Sequence, residues 1–86
     1  MAFVYLLITQ EKSKFISYVG WSNDLKKRLK QHNKGTGAKF TRGRKWKLIY
    51  YEIFSNKKEA MKREYNLKKN FKLRNYIKKL YLEKKI

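Results

Sequence analysis

The chain has 86 residues, enough for one domain with a modest hydrophobic core, and we expect residues 1–86 to form that single domain. Its 24 Lys and Arg against six Asp and Glu give a net charge of +18, which favours nucleic acid as partner. The chain lacks cysteine, and no apolar run or signal peptide indicates membrane association, so we expect a reducing, cytoplasmic location. Because basic ribosomal-type proteins share this composition, charge alone does not indicate an enzyme.

The first two predicted elements are strands. Residues 3–8 form an apolar run typical of a strand buried on both faces, and residues 15–21 form a second strand. The polar residues 9–14 between them read as a loop. The simplest connection is therefore an antiparallel hairpin.

The pairing of these two strands decides where two phenols lie. If Ile8 pairs with Phe15, Tyr5 lies directly opposite Tyr18 on one face of the sheet. A slip of one residue would instead place the two phenols on opposite faces. An aromatic pair of this kind can also serve packing alone, so the pair is only a candidate site.

A helix is predicted directly after the second strand. Gly20 supplies the backbone freedom that a sharp exit from the strand needs. Ser22 or Asn23 is suited to the N-cap, and Asp24 to the first turn. Gly35 is the expected stop.

One face of this helix carries two polar residues beside its apolar ones. At about 100° per residue, Leu25, Leu29 and His32 share a face, and Arg28 lies at its edge. A guanidinium and an imidazole at such a border can reach one phosphate together. The alternative is an Arg whose stem covers apolar surface and a structural, hydrogen-bonded His.

The loop of residues 34–45 combines glycine with positive charge. It holds three of the four glycines and five cations, with no acid. Arg42 and Arg44 flank Gly43, where the backbone can approach a ligand closely, so we expect contact with nucleic acid rather than a merely solvated loop.

A third strand and two further helices complete the predicted order. Residues 46–54 are rich in aromatic and branched side chains, and Asn56 starts a second helix as in a capping box. A third helix is predicted from Lys72. The core face of the second helix should include four side chains, those of Ala60, Met61, Leu67 and Phe71.

Glu64 lies inside the apolar stripe of the second helix. Relative to Ala60 it projects at about 40°, on the side that should face the core. A carboxylate in such a place must be paired, protonated or bound to a metal. An ion pair with Arg28 or another cation and a metal site are equally consistent with this position.

Taken in order, these residues resemble the GIY-YIG endonuclease superfamily, and the resemblance covers nearly the whole chain. The matching segments are Phe3-Val-Tyr5, Tyr18-Val-Gly20, the helix from Asp24 to His32, Gly37-Ala-Lys-Phe-Thr-Arg-Gly-Arg44, Leu48-Ile-Tyr-Tyr-Glu52 and the helix from Ala60 to Lys69. They are similar to the small single-domain branch related to the amino-terminal nuclease of nucleotide-excision repair. Phe3 stands where the family has its first glycine, and Phe40 where relatives often have a tyrosine.

The resemblance implies an α+β fold with a three-stranded antiparallel sheet flanked by three helices. It also implies hydrolysis of a phosphodiester with a single divalent ion, Mg²⁺ or Mn²⁺, held by Glu64. Arg28 would steady the scissile phosphate, and Tyr5, Tyr18 or His32 would orient or deprotonate the attacking water. A phenol with a pKa near ~10 acts as a base at neutral pH only if its pKa is lowered, as nearby cations could do.

The predicted function is therefore that of a metal-dependent endonuclease of repair or recombination, with DNA as the first substrate and RNA as the second. A non-catalytic nucleic-acid-binding module of the same fold is the alternative, and a ribosome-associated basic protein is a weaker one. A partner protein could supply target choice. The expected contacts with the nucleic acid are Lys26, Lys39, Arg42, Arg44 and Lys68.

Overall fold

A computed structural model describes residues 1–84, so the last two residues of the predicted domain lie outside the described range. Within residues 1–84 the predicted α+β class is confirmed, with a three-stranded antiparallel sheet and three α-helices. None of these helices is long and apolar enough to cross a bilayer. A 3₁₀ turn (Lys39–Thr41) precedes the third strand, and the main elements are β1 (Ala2–Glu11), β2 (Lys14–Ser22), α1 (Leu25–Lys34), β3 (Lys47–Phe54), α2 (Lys57–Lys69) and α3 (Phe71–Lys84).

The hairpin of β1 and β2 is longer than predicted. The loop expected over residues 9–14 is wrong, because β1 continues to Glu11 and pairs there with Lys14. Only two residues make the turn, and Lys12 takes a left-handed conformation with φ of 58°. A two-residue turn of this kind matches the twist of the strands, so polar residues near it can remain in the ladder.

The assumed register is wrong by two residues. Tyr5 pairs with Gly20, and Tyr18 pairs with Leu7. Because side chains alternate along a strand, a shift of two keeps both phenols on the same face, now as diagonal rather than direct neighbours. Gly20 lies inside β2 and is not the strand exit that the sequence suggested.

The sheet order is β2-β1-β3, so β1 is central and its side chains supply two different layers. We call the side covered by α2 and α3 the core face; its buried side chains are Ala2, Val4, Leu6, Val19, Ala60, Leu67 and Ile77. We call the other side the groove face; there Tyr5, Leu7 and Trp46 are buried, and Leu25 and Leu29 of α1 pack against them.

The caps of α1 differ from the prediction at one end. Asp24 is the N-cap, in place of Ser22 or Asn23, and its carboxylate accepts a hydrogen bond of 3.1 Å from the Lys27 amide. Ser22 instead belongs to β2 and accepts from the Asp24 amide at 3.0 Å. Gly35 ends the helix with φ of 83°, as predicted.

The predicted core face of α2 is half right. Asn56 caps the helix, and Ala60 and Leu67 are fully buried. Met61 and Phe71, however, are 45% and 63% exposed. Phe71 is exposed because α2 ends before it.

A break at Asn70 separates α2 from α3. Its side-chain oxygen accepts from the Leu73 amide at 3.1 Å, so the second of two helices begins here. An angle projected from Ala60 along one straight helix therefore does not describe Phe71, which opens α3 one residue before the predicted start.

Candidate active site

A cavity of about 210 Å³ brings together the five residues that the sequence singled out as catalytic or metal-binding. Two come from the strands of the hairpin, two from α1 and one from α2, although α2 packs on the core face. The lining consists of Tyr5, Tyr18, Gly20, Trp21, Arg28, His32, Gly37, Ala38 and Glu64. We refer to this cavity as the groove.

A chain of hydrogen bonds runs from the groove into the protein. Tyr5 Oη lies 2.8 Å from His32 Nε2, and His32 Nδ1 lies 2.9 Å from Thr41 Oγ1. The Thr41 hydroxyl then donates to the carbonyl oxygen of Ala38 at 2.8 Å. Tyr5, His32 and Thr41 are each at most 3% exposed, so the polar side-chain groups of these three residues are all buried and hydrogen-bonded.

The last bond of this chain fixes the direction of the others. A carbonyl only accepts, so the Thr41 proton is committed to Ala38 and the Thr41 oxygen accepts from His32 Nδ1–H. His32 Nε2 is then unprotonated and accepts the hydroxyl proton of Tyr5. The geometry therefore assigns neutral His32 the tautomer with its proton on Nδ1.

Two glycines make room for the Tyr5–His32 pair. A Cβ on Gly20 would overlap the hydroxyl end of the Tyr5 ring, and a Cβ on Gly37 would lie 2.6 Å from His32 Nδ1. Neither glycine has a positive φ. Their role here is therefore to leave space for neighbouring rings, not to provide backbone freedom.

Burial and nearby charge set the protonation states in the groove. Burial raises the pKa of Tyr5, and the proximity of Tyr18 and Glu64 adds to this while Arg28 opposes it. Burial and then the Glu64 carboxylate raise the pKa of Tyr18 as well, again against Arg28. The cations therefore do not lower the pKa of either phenol below its ordinary value, so at neutral pH both are proton donors.

His32 is the group in the groove that is suited to accept a proton. Burial lowers its pKa from the ordinary 6.5, and the positive charge of Arg28 lowers it further. The imidazole is consequently neutral at pH 7.

Arg28 and Tyr18 present unused polar groups to the groove. Among residues 1–84, the Arg28 guanidinium has no ion pair or hydrogen bond, and the Tyr18 hydroxyl has no hydrogen-bond partner. The Tyr18 ring is held by an edge contact with His32 at 5.1 Å between centroids and by stacking with Phe40 at 6.1 Å. Tyr18 is thus held in place at the groove, and both side chains line it with donors left for a ligand.

Glu64 can hold a divalent ion as a single ligand. Its side chain is 21% exposed, and within the described residues its ion pair is with Lys68 at 3.8 Å, not with Arg28. That distance exceeds a hydrogen bond, so the carboxylate oxygens remain available. Residues 1–84 contain no group of three metal-ligating side chains. One carboxylate in an open cavity suits Mg²⁺, which keeps several waters and shares substrate phosphate.

The five predicted nucleic-acid contacts do not line the groove. Lys26, Lys39, Arg42 and Lys68 are exposed on the surface. Arg44 is engaged, because it pairs with Glu11 at 2.9 Å and its guanidinium lies 4.9 Å from the centre of the Phe40 ring. Arg42 and Arg44 border a separate cavity of about 650 Å³ at the turn end of the hairpin.

Two polar side chains that support the elements around the groove, those of Thr41 and Glu52, were missed by the sequence reasoning. Thr41 carried no signal, since nothing in a cationic loop marks one hydroxyl as buried. Glu52 carried a signal, because it is an acid in an otherwise apolar strand. Its carboxylate accepts hydrogen bonds from Arg63 Nε and Nη2 at 2.7 and 2.9 Å and from the Tyr50 hydroxyl. This bidentate pair joins α2 to β3 at the residue just before Glu64.

Comparison with known proteins assigns the chain to a family. Residues 1–80 match the family described as the GIY-YIG catalytic domain. A UPF0213 protein of Clostridium perfringens is 53% identical over 70 residues, which span 80% of this chain and 72% of the relative. A UPF0213 protein of Bacillus velezensis is 44% identical over 84 residues, which span 96% of this chain and 79% of the relative. The UPF0213 protein YazA of Bacillus subtilis is 51% identical over 69 residues, which span 79% of this chain and 67% of the relative. No solved structure matches the chain.

Proposed function

Since the chain belongs to the GIY-YIG family, we propose that it is a metal-dependent endonuclease that hydrolyses phosphodiester bonds in DNA. The observation that carries this proposal is the convergence of Tyr5, Tyr18, Arg28, His32 and Glu64 on one cavity. A role in repair or recombination is the biological setting that we propose for it.

Arg28 is placed to bind the scissile phosphate. Its guanidinium borders the groove with its donors unpaired within residues 1–84, and a planar fork of donors can hold two phosphate oxygens at once. Charge fixed in this position stabilises the negative charge that grows on the phosphate as water attacks.

Tyr5 and His32 together can take the proton of the attacking water. As the water oxygen bonds to phosphorus, its proton passes to Tyr5 Oη, and the Tyr5 proton moves along the 2.8 Å hydrogen bond to His32 Nε2. The phenol ends unchanged and the imidazole becomes charged. This route needs no free phenolate, which the raised pKa of Tyr5 disfavours. The Tyr18 hydroxyl orients the water from the other strand.

Glu64 would hold the divalent ion, Mg²⁺ or Mn²⁺, whose positive charge would stabilise the leaving oxygen when the P–O bond breaks. The leaving oxygen takes its proton from solvent. Nothing else on the described part of the chain offers a carboxylate to this cavity.

The exposed cations supply affinity for the nucleic-acid backbone. The candidates for phosphate contacts are Lys26, Lys39, Arg42 and Lys68. Arg44 should contribute less to the affinity, because it is already paired with Glu11. Each neutralised phosphate steepens the dependence of log affinity on log salt by about 0.9 for duplex DNA. Affinity measured at two salt concentrations should therefore fall steeply.

The test is nicking of supercoiled plasmid with Mg²⁺, with EDTA as blank, by the wild type, Glu64→Gln and Glu59→Gln. Glu59 is the matched control, because it is an exposed acid in the first turn of the same helix and does not line the groove. We expect cleavage by wild type and Glu59→Gln and loss of cleavage in Glu64→Gln. A wild type that binds DNA and RNA but cuts neither would support a binding module in place of a nuclease.

A further inference from the structure

We infer that Thr41 is a positioning residue for the groove, which holds His32 in the tautomer that can accept a proton from Tyr5. The inference rests on the proposed function for its meaning, but its geometry stands by itself. Thr41 is fully buried, and its hydroxyl is bonded on both sides, to His32 Nδ1 at 2.9 Å and to the Ala38 carbonyl at 2.8 Å.

The tautomer matters because only one ring nitrogen faces Tyr5. With the proton on Nδ1, the lone pair of Nε2 points at the Tyr5 hydroxyl and can receive its proton. With the proton on Nε2, that nitrogen would donate to Tyr5 instead, and the phenol could not pass a proton on. The Thr41 hydroxyl, on the far side of the imidazole, therefore determines whether His32 can accept a proton from Tyr5.

The same bonds serve both charge states of His32. When Nε2 gains a proton, Nδ1–H still donates to the Thr41 oxygen, and the Thr41 proton stays on the Ala38 carbonyl. No hydrogen bond beyond the ring needs to reverse during the transfer. An environment that is already oriented for the charged product is the general condition for low-cost charge formation in an active site.

The short turn containing Thr41 is held independently of its hydroxyl. Its amide donates to the Ala38 carbonyl at 3.1 Å, and its carbonyl accepts from the Trp46 indole at 3.0 Å. Both bonds use the backbone and remain when the side chain is changed. Loss of the hydroxyl should thus act on His32 more than on the path of the loop.

The experiment compares the wild type with Thr41→Val and Thr41→Ser. His32 is the only histidine of the chain, so two-bond ¹H–¹⁵N correlation spectra of the imidazole need no further assignment. At neutral pH we expect the proton on Nδ1 in the wild type and in Thr41→Ser. We expect a shift toward protonation at Nε2 in Thr41→Val, because its Nδ1 has no acceptor left.

Cleavage is measured on the same three proteins. We expect Thr41→Ser to stay within several-fold of the wild type and Thr41→Val to lose about 100-fold or more, the usual range for a proton-transfer group. If Thr41 only filled space, the serine variant, which lacks the methyl group, would be impaired at least as much as the valine variant, and this would overturn the inference.

The wild-type spectrum tests the tautomer assigned to His32 even if Thr41→Val fails to fold. A proton on Nε2 in the wild type would overturn the assignment. A wild type with the proton on Nδ1, displaced in Thr41→Val, supports the role of Thr41 even in a protein that cuts no DNA. In that case the nuclease proposal fails by itself, so the two failures can be told apart.

Discussion

The two faces of the sheet share one central strand and differ in what they bury. On the core face the even-numbered side chains of β1 meet α2 and α3, and Val4 and Leu6 are fully buried among apolar neighbours. On the groove face Tyr5 is as well buried, but it is joined to His32 and Thr41 by hydrogen bonds. Burial on the core face therefore serves the fold alone, whereas burial on the groove face serves the fold and also orders polar groups.

This difference shows how a chain of this size can carry both a core and a site. Alternation along β1 assigns successive residues to opposite tasks, so a change at one residue need not disturb its neighbour. We expect substitutions on the groove face to alter chemistry more than stability, and substitutions on the core face to do the reverse.

The largest effect is expected for Tyr5→Phe. It removes the hydroxyl that links water to His32, and cleavage should fall about 100- to 10,000-fold while the free energy of unfolding changes by only about 1–3 kcal/mol. Single-turnover cleavage and urea unfolding measure the two quantities. Tyr51→Phe is the control, because Tyr51 pairs with Tyr5 across the sheet, is half exposed and lies outside the groove. Equal loss in both variants would contradict the role of the Tyr5 hydroxyl.

The reverse result is expected one residue along the strand. Leu6→Ala leaves a hole in the core face and should lower the free energy of unfolding by about 2–5 kcal/mol. Cleavage per folded molecule should stay near the wild-type value. Urea titration followed by circular dichroism gives the stability, and a large drop in activity of the folded fraction would show that the two faces are not separate.

A smaller effect on stability is expected for Gly20→Ala. The added methyl group overlaps the Tyr5 hydroxyl, so the ring must move and its bond to His32 weakens. Overpacking of this kind costs about 1–3 kcal/mol. Cleavage should fall as it does in Tyr5→Phe. The double variant Tyr5→Phe/Gly20→Ala should lose little more cleavage activity than either single variant. Additive losses would mean that Gly20 acts on something other than Tyr5.

The smallest effect is the pH dependence of stability. Burial and Arg28 lower the pKa of His32 in the folded protein, so the unfolded chain takes up the proton more readily. Its contribution is complete above the ordinary pKa of 6.5 and is lost as pH falls from 6.5 through the lower folded value. Unfolding by urea at pH values of about 7.5 and 5.5 should show the decrease, and His32→Asn should remove it. A wild type equally stable at both values would be evidence against a neutral, buried His32.

Glu52 does not interfere with that measurement. Its bonds to Arg63 lower its pKa from the ordinary 4.5, so the stability that it contributes is lost only at more acidic pH. Both pH values of the urea comparison lie above the ordinary pKa of Glu52, so its contribution is the same in the two measurements.

The sequence was informative where one residue decides a local conformation. Gly35 ends α1 and Asn56 begins α2 as expected, because caps depend on their own side chain and backbone. The shared face of Tyr5 and Tyr18 was also predicted, but through a register wrong by two residues that preserved the face. The actual register depends on a two-residue turn at Lys12, where no glycine or asparagine marks the left-handed position.

Tertiary features of the site could not be predicted from the sequence. Thr41 is buried where a short turn meets His32 of α1, and a three-residue element has no periodicity to detect. Gly20 appeared to be a flexible exit because its steric role depends on which ring lies opposite. Glu64 was recognised as unusual, but only the packing of α2 shows that it reaches the groove.

The most direct test is titration of the protein with Mn²⁺ while its backbone amide signals are followed by NMR. We expect selective broadening at Gly20, Arg28 and Glu64, which line the groove, with no change at the distant turn of Lys12. Glu64→Gln should abolish this broadening and Glu59→Gln should preserve it. Broadening that is centred elsewhere, or that persists in Glu64→Gln, would contradict a metal-dependent active site at the groove.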